Sequence, residues 1–120
     1  MKKADLVFLR DLLESQLGQL QHQADHSMMD LLEKENNAPD LLDRAALESE
    51  RDYTIRIRER ESRLIKKIQK SLTDIENGTY GICQMCGEDI SVKRLKARPV
   101  ARHCIVCKSK MEEMERAAGF

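Results

Sequence analysis

The stretch LVFLRDLLESQLGQLQHQADHSMMDL, residues 6–31, decides the fold of this chain. Its apolar positions recur at steps of 3, 4, 4, 3, 4, 4 and 3 residues, which is the periodicity of an α-helix and not of a strand. The stripe consists of Leu6, Leu9, Leu13, Leu17, Leu20, Ala24, Met28 and Leu31. Because the stretch contains no proline, we expect one helix from about residue 4 to about residue 35.

A break and a second helical stripe follow. Pro39 lacks an amide donor and disfavours the helical conformation at Ala38, so the first helix should end near residue 36. Beyond this break, steps of 3 and 4 residues predict a helix from about 41 to about 76, with its C-cap at residues 77 and 78. The second stripe consists of Ala46, Glu50, Tyr53, Ile57, Glu61, Leu64, Ile68, Leu72 and Ile75. Its two glutamates are either edge positions or residues that fix the register of the helix pair.

Two helices of similar length with a short connection predict an antiparallel helical hairpin. Narrow stripes and charged outer faces favour a two-stranded coiled coil, about 50 Å long at 1.5 Å per residue. The 120 residues include only two Tyr and two Phe and no Trp, so a wide globular core is not expected. We therefore predict a mainly α protein with a coiled-coil hairpin over residues 1–77, its tip at 36–45, and a small module over 78–120. A side-by-side dimer that forms a four-helix bundle stays open, although we favour a monomer.

The 21 basic and 21 acidic side chains cancel in total but are unevenly distributed. Residues 1–50 carry 5 basic and 11 acidic groups, residues 51–70 carry 8 and 3, and residues 71–120 carry 8 and 7. A neutral total disfavours a simple nucleic-acid binder. The uneven distribution either offers a partner two different faces or draws the acidic and basic helices together. No membrane span or secretory signal is visible, so we expect a cytoplasmic protein.

Four cysteines form the pattern C-x2-C-x17-C-x2-C: Cys83, Cys86, Cys104 and Cys107. This spacing is typical of a zinc site, in which two thiolate pairs close a tetrahedral shell. A shell without an open position is structural and not catalytic, and it would contribute about 10–16 kcal/mol of binding free energy to folding. Disulfides and a redox-active C-x2-C pair remain alternatives. A cytosolic chain disfavours the first, and the lack of a strand–helix context disfavours the second.

Other polar residues near and far from the cysteines allow further interpretations. His103 adjoins Cys104 and could replace a thiolate, although four cysteines suffice. His22 and His26 have a spacing that can bind metal, but without a third ligand in view a solvated face is favoured. Residues 92–99 carry four positive charges and no aromatic side chain, so a phosphate-bearing small molecule, an acidic protein surface and a solvated loop all remain possible. Residues 105–117 predict a short C-terminal helix.

The predicted hairpin turn carries acidic residues with two possible roles. Asp40 is a good N-cap, and Asp43 three residues later resembles a capping box. Leu41 and Leu42 between them are an apolar pair at an exposed turn, which is typical of a contact element. Capping and partner contact both remain open from these residues alone.

Several motifs together indicate a family. They are D-x-x-D-x-A at Asp40, Asp43 and Ala45, G-x-Y-G-x-C-x-x-C-G over residues 78–87, R-L-x-A-R-P over 94–99, and C-I-x-C-K over 104–108. With the long hairpin, they closely resemble the DksA/TraR family of bacterial RNA polymerase-binding transcription factors, over nearly the whole chain. The four-cysteine pattern alone is shared by unrelated fingers, whereas its combination with the tip motif is specific.

The resemblance implies a transcription regulator that is not an enzyme. Such a protein enters the secondary channel of RNA polymerase, does not bind DNA itself, and modulates initiation, for example at ribosomal RNA promoters, together with ppGpp. By the family pattern, Asp40, Asp43 and Ala45 act near the polymerase active centre and Arg60 contacts polymerase.

The resemblance also implies a ppGpp site, formed by Leu64, Lys67, Arg98 and Lys108. Longer members have an N-terminal segment before the coiled coil, whereas this chain begins almost at the first helix. A weaker or differently shared ppGpp response is therefore expected. Two competing functions are a transcript-cleavage factor with an acidic hairpin tip, which would lack the four-cysteine signature, and a zinc-finger DNA binder.

Overall fold

The structure is a computed structural model that describes residues 1–36 and 41–119, without the side chains of residues 27, 31, 35, 36 and 41–43. In this part of the chain four helices follow one another: α1 (Lys3–Asn36), α2 (Leu41–Asn77), α3 (Val92–Ala97) and α4 (Ile105–Ala117). The predicted bounds of α1, α2 and α4 are confirmed to within one residue. An isolated antiparallel bridge pairs Ile82 with Asp89. Among the described residues, no helix is long and apolar enough to cross a lipid bilayer.

The chain divides into two compact units. The cysteine unit combines Met1–Glu14 with Ile68–Phe120, and the hairpin unit is Ser15–Lys67. The start of α1 and the end of α2 therefore share one unit, while the end of α1 and the start of α2 share the other. In the hairpin unit, Lys34 Nζ on α1 donates to Glu50 Oε1 on α2 at 2.6 Å. The two long helices pair in antiparallel order, which confirms the predicted helical hairpin.

The apolar stripe of α1 faces inward as predicted. Leu9 and Leu13 are fully buried. The other described members of the stripe are half-buried: Leu6, Leu17, Leu20, Ala24 and Met28. Burial of one face therefore follows directly from the 3.6-residue period of this helix.

The predicted stripe of α2 is wrong at four positions before Ile68. Tyr53 is 61% exposed, and Ala46, Ile57 and Leu64 are exposed as well. At each of these places the inward position lies one residue later, and the half-buried residues are Leu47, Thr54, Arg58 and Ile65. The sequence offers two parallel stripes, because residues 46–47 and 64–65 are adjacent apolar pairs and Tyr53 lies beside Thr54. Pairing with α1 selects one of them, and periodicity alone does not distinguish the two.

The two glutamates of that stripe have different surroundings. Glu50 is an exposed edge residue whose carboxylate pairs with Lys34 across the hairpin unit. This contact raises the pKa of the Lys34 ammonium through the hydrogen bond and the opposite charge of Glu50. Glu61 is half-buried, and its Oε2 atom has no hydrogen-bond partner among the described residues. The edge interpretation is therefore confirmed for Glu50.

Helix α2 ends where the sequence predicts it. The Gly78 amide donates to the Ile75 carbonyl at 3.2 Å, and the Thr79 amide donates to the Asp74 carbonyl at 2.9 Å. These two bonds form a Schellman motif, which requires a left-handed residue after the last helical one. Gly78 supplies it with φ at 75°. The motif turns the chain out of α2 and into the first cysteine pair.

The cysteine unit has a small buried core. One cluster of buried residues consists of Leu9, Cys83, Ile90, Leu95 and Cys107, packed against Tyr80, Ala101 and Cys104. Leu13 and Ile68 are also fully buried in this unit. Two of the five residues in the cluster are thiols, so its apolar contribution to stability is limited. This unit therefore depends on what the thiols bind.

Gly81 precedes the first cysteine pair, and replacing it is expected to destabilise the cysteine unit. Its φ is 83°, and an added Cβ would lie 2.6 Å from Met1 Cε and 3.5 Å from Leu95 Cδ1. We expect Gly81→Ala to cost about 1–2 kcal/mol, because a side chain is strained in the left-handed region. Gly18→Ala is the matched control. No atom lies within 4 Å of its added Cβ, and alanine in a helix gains up to about 1 kcal/mol over glycine. The midpoint of thermal unfolding should fall in Gly81→Ala and rise in Gly18→Ala. An unchanged midpoint for Gly81→Ala would contradict this account.

Candidate functional site

The four cysteines converge in the cysteine unit. Their sulfur atoms all lie within 4.8 Å of one another, and Cys86 Sγ is 3.8 Å from Cys104 Sγ. All four thiols are free of disulfide bonds. The convergence favours the metal interpretation over the disulfide interpretation.

Each cysteine pair is held by its own backbone turn. In the first turn, the Cys83 amide donates to the Glu88 carbonyl at 2.8 Å, and the Gly87 amide donates to the Cys83 carbonyl at 3.0 Å. The second pair lies at a helix start, since Cys104 is the N-cap of α4 and Cys107 is in its first turn. A turn and a helix start thus present two thiols each towards one point.

The sulfur geometry fits a zinc ion. A tetrahedral ion with Zn–S bonds of about 2.3 Å separates its sulfurs by about 3.8 Å. This separation matches the one between Cys86 and Cys104. All four positions of the shell would be filled by cysteine, so such an ion has no site for water or substrate and stabilises structure.

The thiol pKa values also point to a cation. Backbone amides of Cys86 and Cys104 donate towards Cys83, and they lower the pKa of its thiol to about 6. The neighbouring Cys104 thiol and burial raise the pKa of Cys107 to about 12. The Cys83 sulfur is thus ready to ionise, whereas the Cys107 thiol resists adding a second negative charge. Four thiolates are stable together only around a positive ion.

Helix α3 connects the two cysteine pairs, and the sequence analysis missed it. Its N-cap is Ser91, whose side chain accepts a hydrogen bond from the Arg94 amide, and its Leu95 is fully buried. The signal was present in the sequence as a serine before a short segment whose first and fourth residues, Val92 and Leu95, are large and apolar. The segment is therefore not the solvated loop that its charge allowed.

Three hydrogen bonds join the chain around the first cysteine pair, and helix α3, to residues 99–103, which lead into the second cysteine pair. Tyr80 Oη donates to the Pro99 carbonyl at 2.8 Å, and burial raises the pKa of Tyr80 to about 12. Arg94 Nε donates to the His103 carbonyl at 2.9 Å. The third bond runs from the Gln84 amide to the Arg102 carbonyl at 2.9 Å. His103 thus contributes its backbone, and no fifth ligand is needed.

Two of the three predicted tip residues, Asp43 and Ala45, lie at the start of α2. Asp40 is outside the described residues. Asp43 is the third residue of α2, the position that a capping box requires, and its side chain is outside the described part. Ala45 is exposed on the first turns of the helix.

The remaining predicted site residues divide between the two units. Arg60, Leu64 and Lys67 are exposed and share one face of α2 in the hairpin unit, at i, i+4 and i+7. In the cysteine unit, Arg98 is the exposed C-cap of α3 and Lys108 is half-buried in the first turns of α4. Within the part of the chain that is described, the four cations form no ion pair. Their charges are thus available to an anionic ligand or an acidic surface.

Comparison with known proteins gives two family matches. Residues 5–75 match the N-terminal domain of DnaK suppressor protein DksA, and residues 78–113 match the prokaryotic dksA/traR C4-type zinc finger. The second match covers all four cysteines, and with the sulfur cluster it supports a zinc ion in this unit.

Individual relatives agree with these matches. The chain is 40% identical to the RNA polymerase-binding transcription factor DksA of Escherichia coli strain K12, over 97% of this chain and 77% of that protein. It is 37% identical to the protein of the same name in Buchnera aphidicola subsp. Schizaphis graminum, with the same coverage. The solved structure of transcription factor DksA2 from Pseudomonas aeruginosa superposes with a TM-score of 0.89 at 38% identity, covering 97% of this chain and 89% of that one. These relatives are named as transcription factors and not as enzymes.

Proposed function

The chain belongs to the DksA/TraR family, and on that premise we propose that it is a cytoplasmic regulator that binds bacterial RNA polymerase and modulates the initiation of transcription. The observation that carries the proposal is 40% identity across 97% of this chain to a protein named for binding RNA polymerase. We propose that it acts as a monomer, through protein contacts and without binding DNA itself. Its neutral total charge supports this mode over a nucleic-acid interface.

We propose that the hairpin, residues 1–77, carries the regulatory contacts and that the module over residues 78–120 supports them. The hairpin would enter the secondary channel of polymerase and bring Asp40, Asp43 and Ala45 close to the active centre. There two carboxylates would change the stability of the initiation complex by adding negative charge. The zinc ion, held by the four cysteines, would stabilise the module and take no part in chemistry.

Contact with polymerase is assigned to the basic part of α2. Residues 51–70 carry 8 basic and 3 acidic side chains, which suits an acidic partner surface. Arg60 is exposed there and forms no ion pair within the described residues. We propose that its guanidinium binds a polymerase carboxylate, because a bidentate pair of this kind gives both energy and orientation.

The effector ppGpp is proposed to bind at the interface with polymerase. Lys67, Arg98 and Lys108 would contact its phosphate groups, since charged donors form the strongest hydrogen bonds to phosphate. Leu64 is 37% exposed although it is a large aliphatic residue, so it is available to pack against the guanine base. Polymerase would supply the remaining contacts.

Binding to core polymerase tests the proposed partner. We expect the labelled protein to bind core enzyme and to leave a free promoter fragment unshifted at physiological salt. Arg60→Ala should weaken polymerase binding at least about tenfold, because truncating one partner of a charged hydrogen-bonded pair costs about 2 kcal/mol or more. Arg116→Ala, which removes an exposed cation from α4, is the control and should bind like the wild type. A strongly salt-dependent affinity for duplex DNA without polymerase binding would overturn the proposal in favour of a DNA-binding finger.

A further inference from the structure

Two histidines lie side by side on α1, in the hairpin unit and away from the cysteines in sequence. The rings of His22 and His26 are nearly parallel, with an angle of 6° between their planes and 6.5 Å between their centroids. Both side chains are exposed. Their spacing of four residues places them one turn apart on one face of the helix.

A carboxylate lies beside His26, one turn further along the helix. His26 Nε2 is 3.6 Å from Asp30 Oδ2. A carboxylate beside an imidazole is the usual partner that orients the ring of a metal-binding histidine. The two imidazoles therefore provide two nitrogen atoms one turn apart, and Asp30 is placed to orient one of them.

The spacing suits a shared metal ion. With Zn–N bonds of about 2.0–2.1 Å, two imidazoles on one tetrahedral ion have centroids about 5 Å apart. The rings are 6.5 Å apart, so a closure of about 1.5 Å is required, which rotation of exposed side chains supplies. The surrounding segment is acidic, because residues 1–50 carry 11 acidic and 5 basic groups. This charge raises the local concentration of cations.

We propose that His22 and His26 chelate a second divalent metal ion of the zinc type, with Asp30 orienting the His26 ring from outside the shell. Imidazole nitrogen selects zinc, nickel or copper over magnesium and calcium, which prefer oxygen shells. The site leaves at least one position to water and lies on an exposed helix, so binding is reversible and weaker than in the four-cysteine centre. When bound, the ion links two successive turns of α1 and stabilises that segment against local unfolding.

Zinc titration of the protein already loaded with one zinc ion tests this site. Calorimetry should detect a second bound equivalent in the wild type. His22→Gln and His26→Gln should each weaken it at least tenfold, with unchanged helical circular dichroism and an unchanged first equivalent. Asp30→Asn should weaken it about tenfold, as expected for a carboxylate that supports a metal-bound histidine.

Asp11→Asn is the matched control, since it removes the same charge from α1 but lies three turns before His22, out of reach of the two histidines. It should change the second affinity less than about twofold. Amide exchange around residues 22–30 should slow on addition of the second equivalent in the wild type and not in His26→Gln. No second equivalent in the wild type, or equal second affinities in the wild type and the histidine variants, would overturn the proposal. Neither result bears on polymerase binding.

Discussion

Cys86→Ser is expected to unfold the cysteine unit. The variant removes one of four sulfurs that lie within 4.8 Å of one another, and zinc binding by such a shell contributes about 10–16 kcal/mol of folding free energy. The remaining core is too small to replace this free energy, because two of the five residues in the buried cluster around the sulfurs are themselves cysteines. Zinc content should fall well below one per chain, and the thermal transition of the unit should disappear or broaden.

Met85→Ser is the control for that experiment. Met85 lies in the same turn, is 55% exposed and is not a ligand. Its replacement should leave zinc content at one per chain and shift stability by less than about 0.5 kcal/mol, as usual for surface positions. If Cys86→Ser retained its zinc and its melting temperature, the structural role of the ion would be rejected.

Asp43→Asn is expected to abolish regulation while the protein still folds and binds polymerase. Asparagine has the same shape as aspartate and keeps an oxygen acceptor, so the start of α2 loses only the favourable interaction of a charge with the helix dipole. That loss is about 0.3–1 kcal/mol at an exposed helix terminus. The proposed role near the polymerase active centre instead needs the negative charge itself. Transcription assays with the cognate polymerase should therefore show no response to the variant at concentrations where binding is saturated.

Asp52→Asn controls for the general loss of one carboxylate on α2. Asp52 is exposed two turns beyond the predicted tip, and its replacement should preserve regulation. Loss of helical circular dichroism in Asp43→Asn would favour the capping role over the contact role. Wild-type regulation by Asp43→Asn would reject the proposed function of this residue.

The helical hairpin and the metal centre could be predicted because each has a strong local signal. The α1 stripe runs at helical steps through Leu9 and Leu13, and both residues are buried. The cysteine spacing implied one shared site, and the sulfurs do converge. The end of α2 has an equally local signal, because Gly78 adopts the positive φ that terminates the helix.

Neither the register of α2 nor the presence of α3 could be derived from the local sequence pattern. Leu64 and Ile65 are adjacent and equally apolar, so only pairing with α1 determines that Ile65 faces inward. Helix α3 has six residues, too few to show a helical period, and the burial of Leu95 against the cysteines stabilises it. In both places tertiary contacts decide what the local pattern leaves open.

Transcription in vitro from a ribosomal RNA promoter tests the central claim most directly. The assay combines the cognate polymerase with this protein, in the presence and absence of ppGpp. The account predicts inhibition that ppGpp deepens, which would support both the polymerase target and the site at Lys67, Arg98 and Lys108. Inhibition that is indifferent to ppGpp would keep the target and reject the nucleotide site. Unchanged transcription in both conditions would contradict the proposed function.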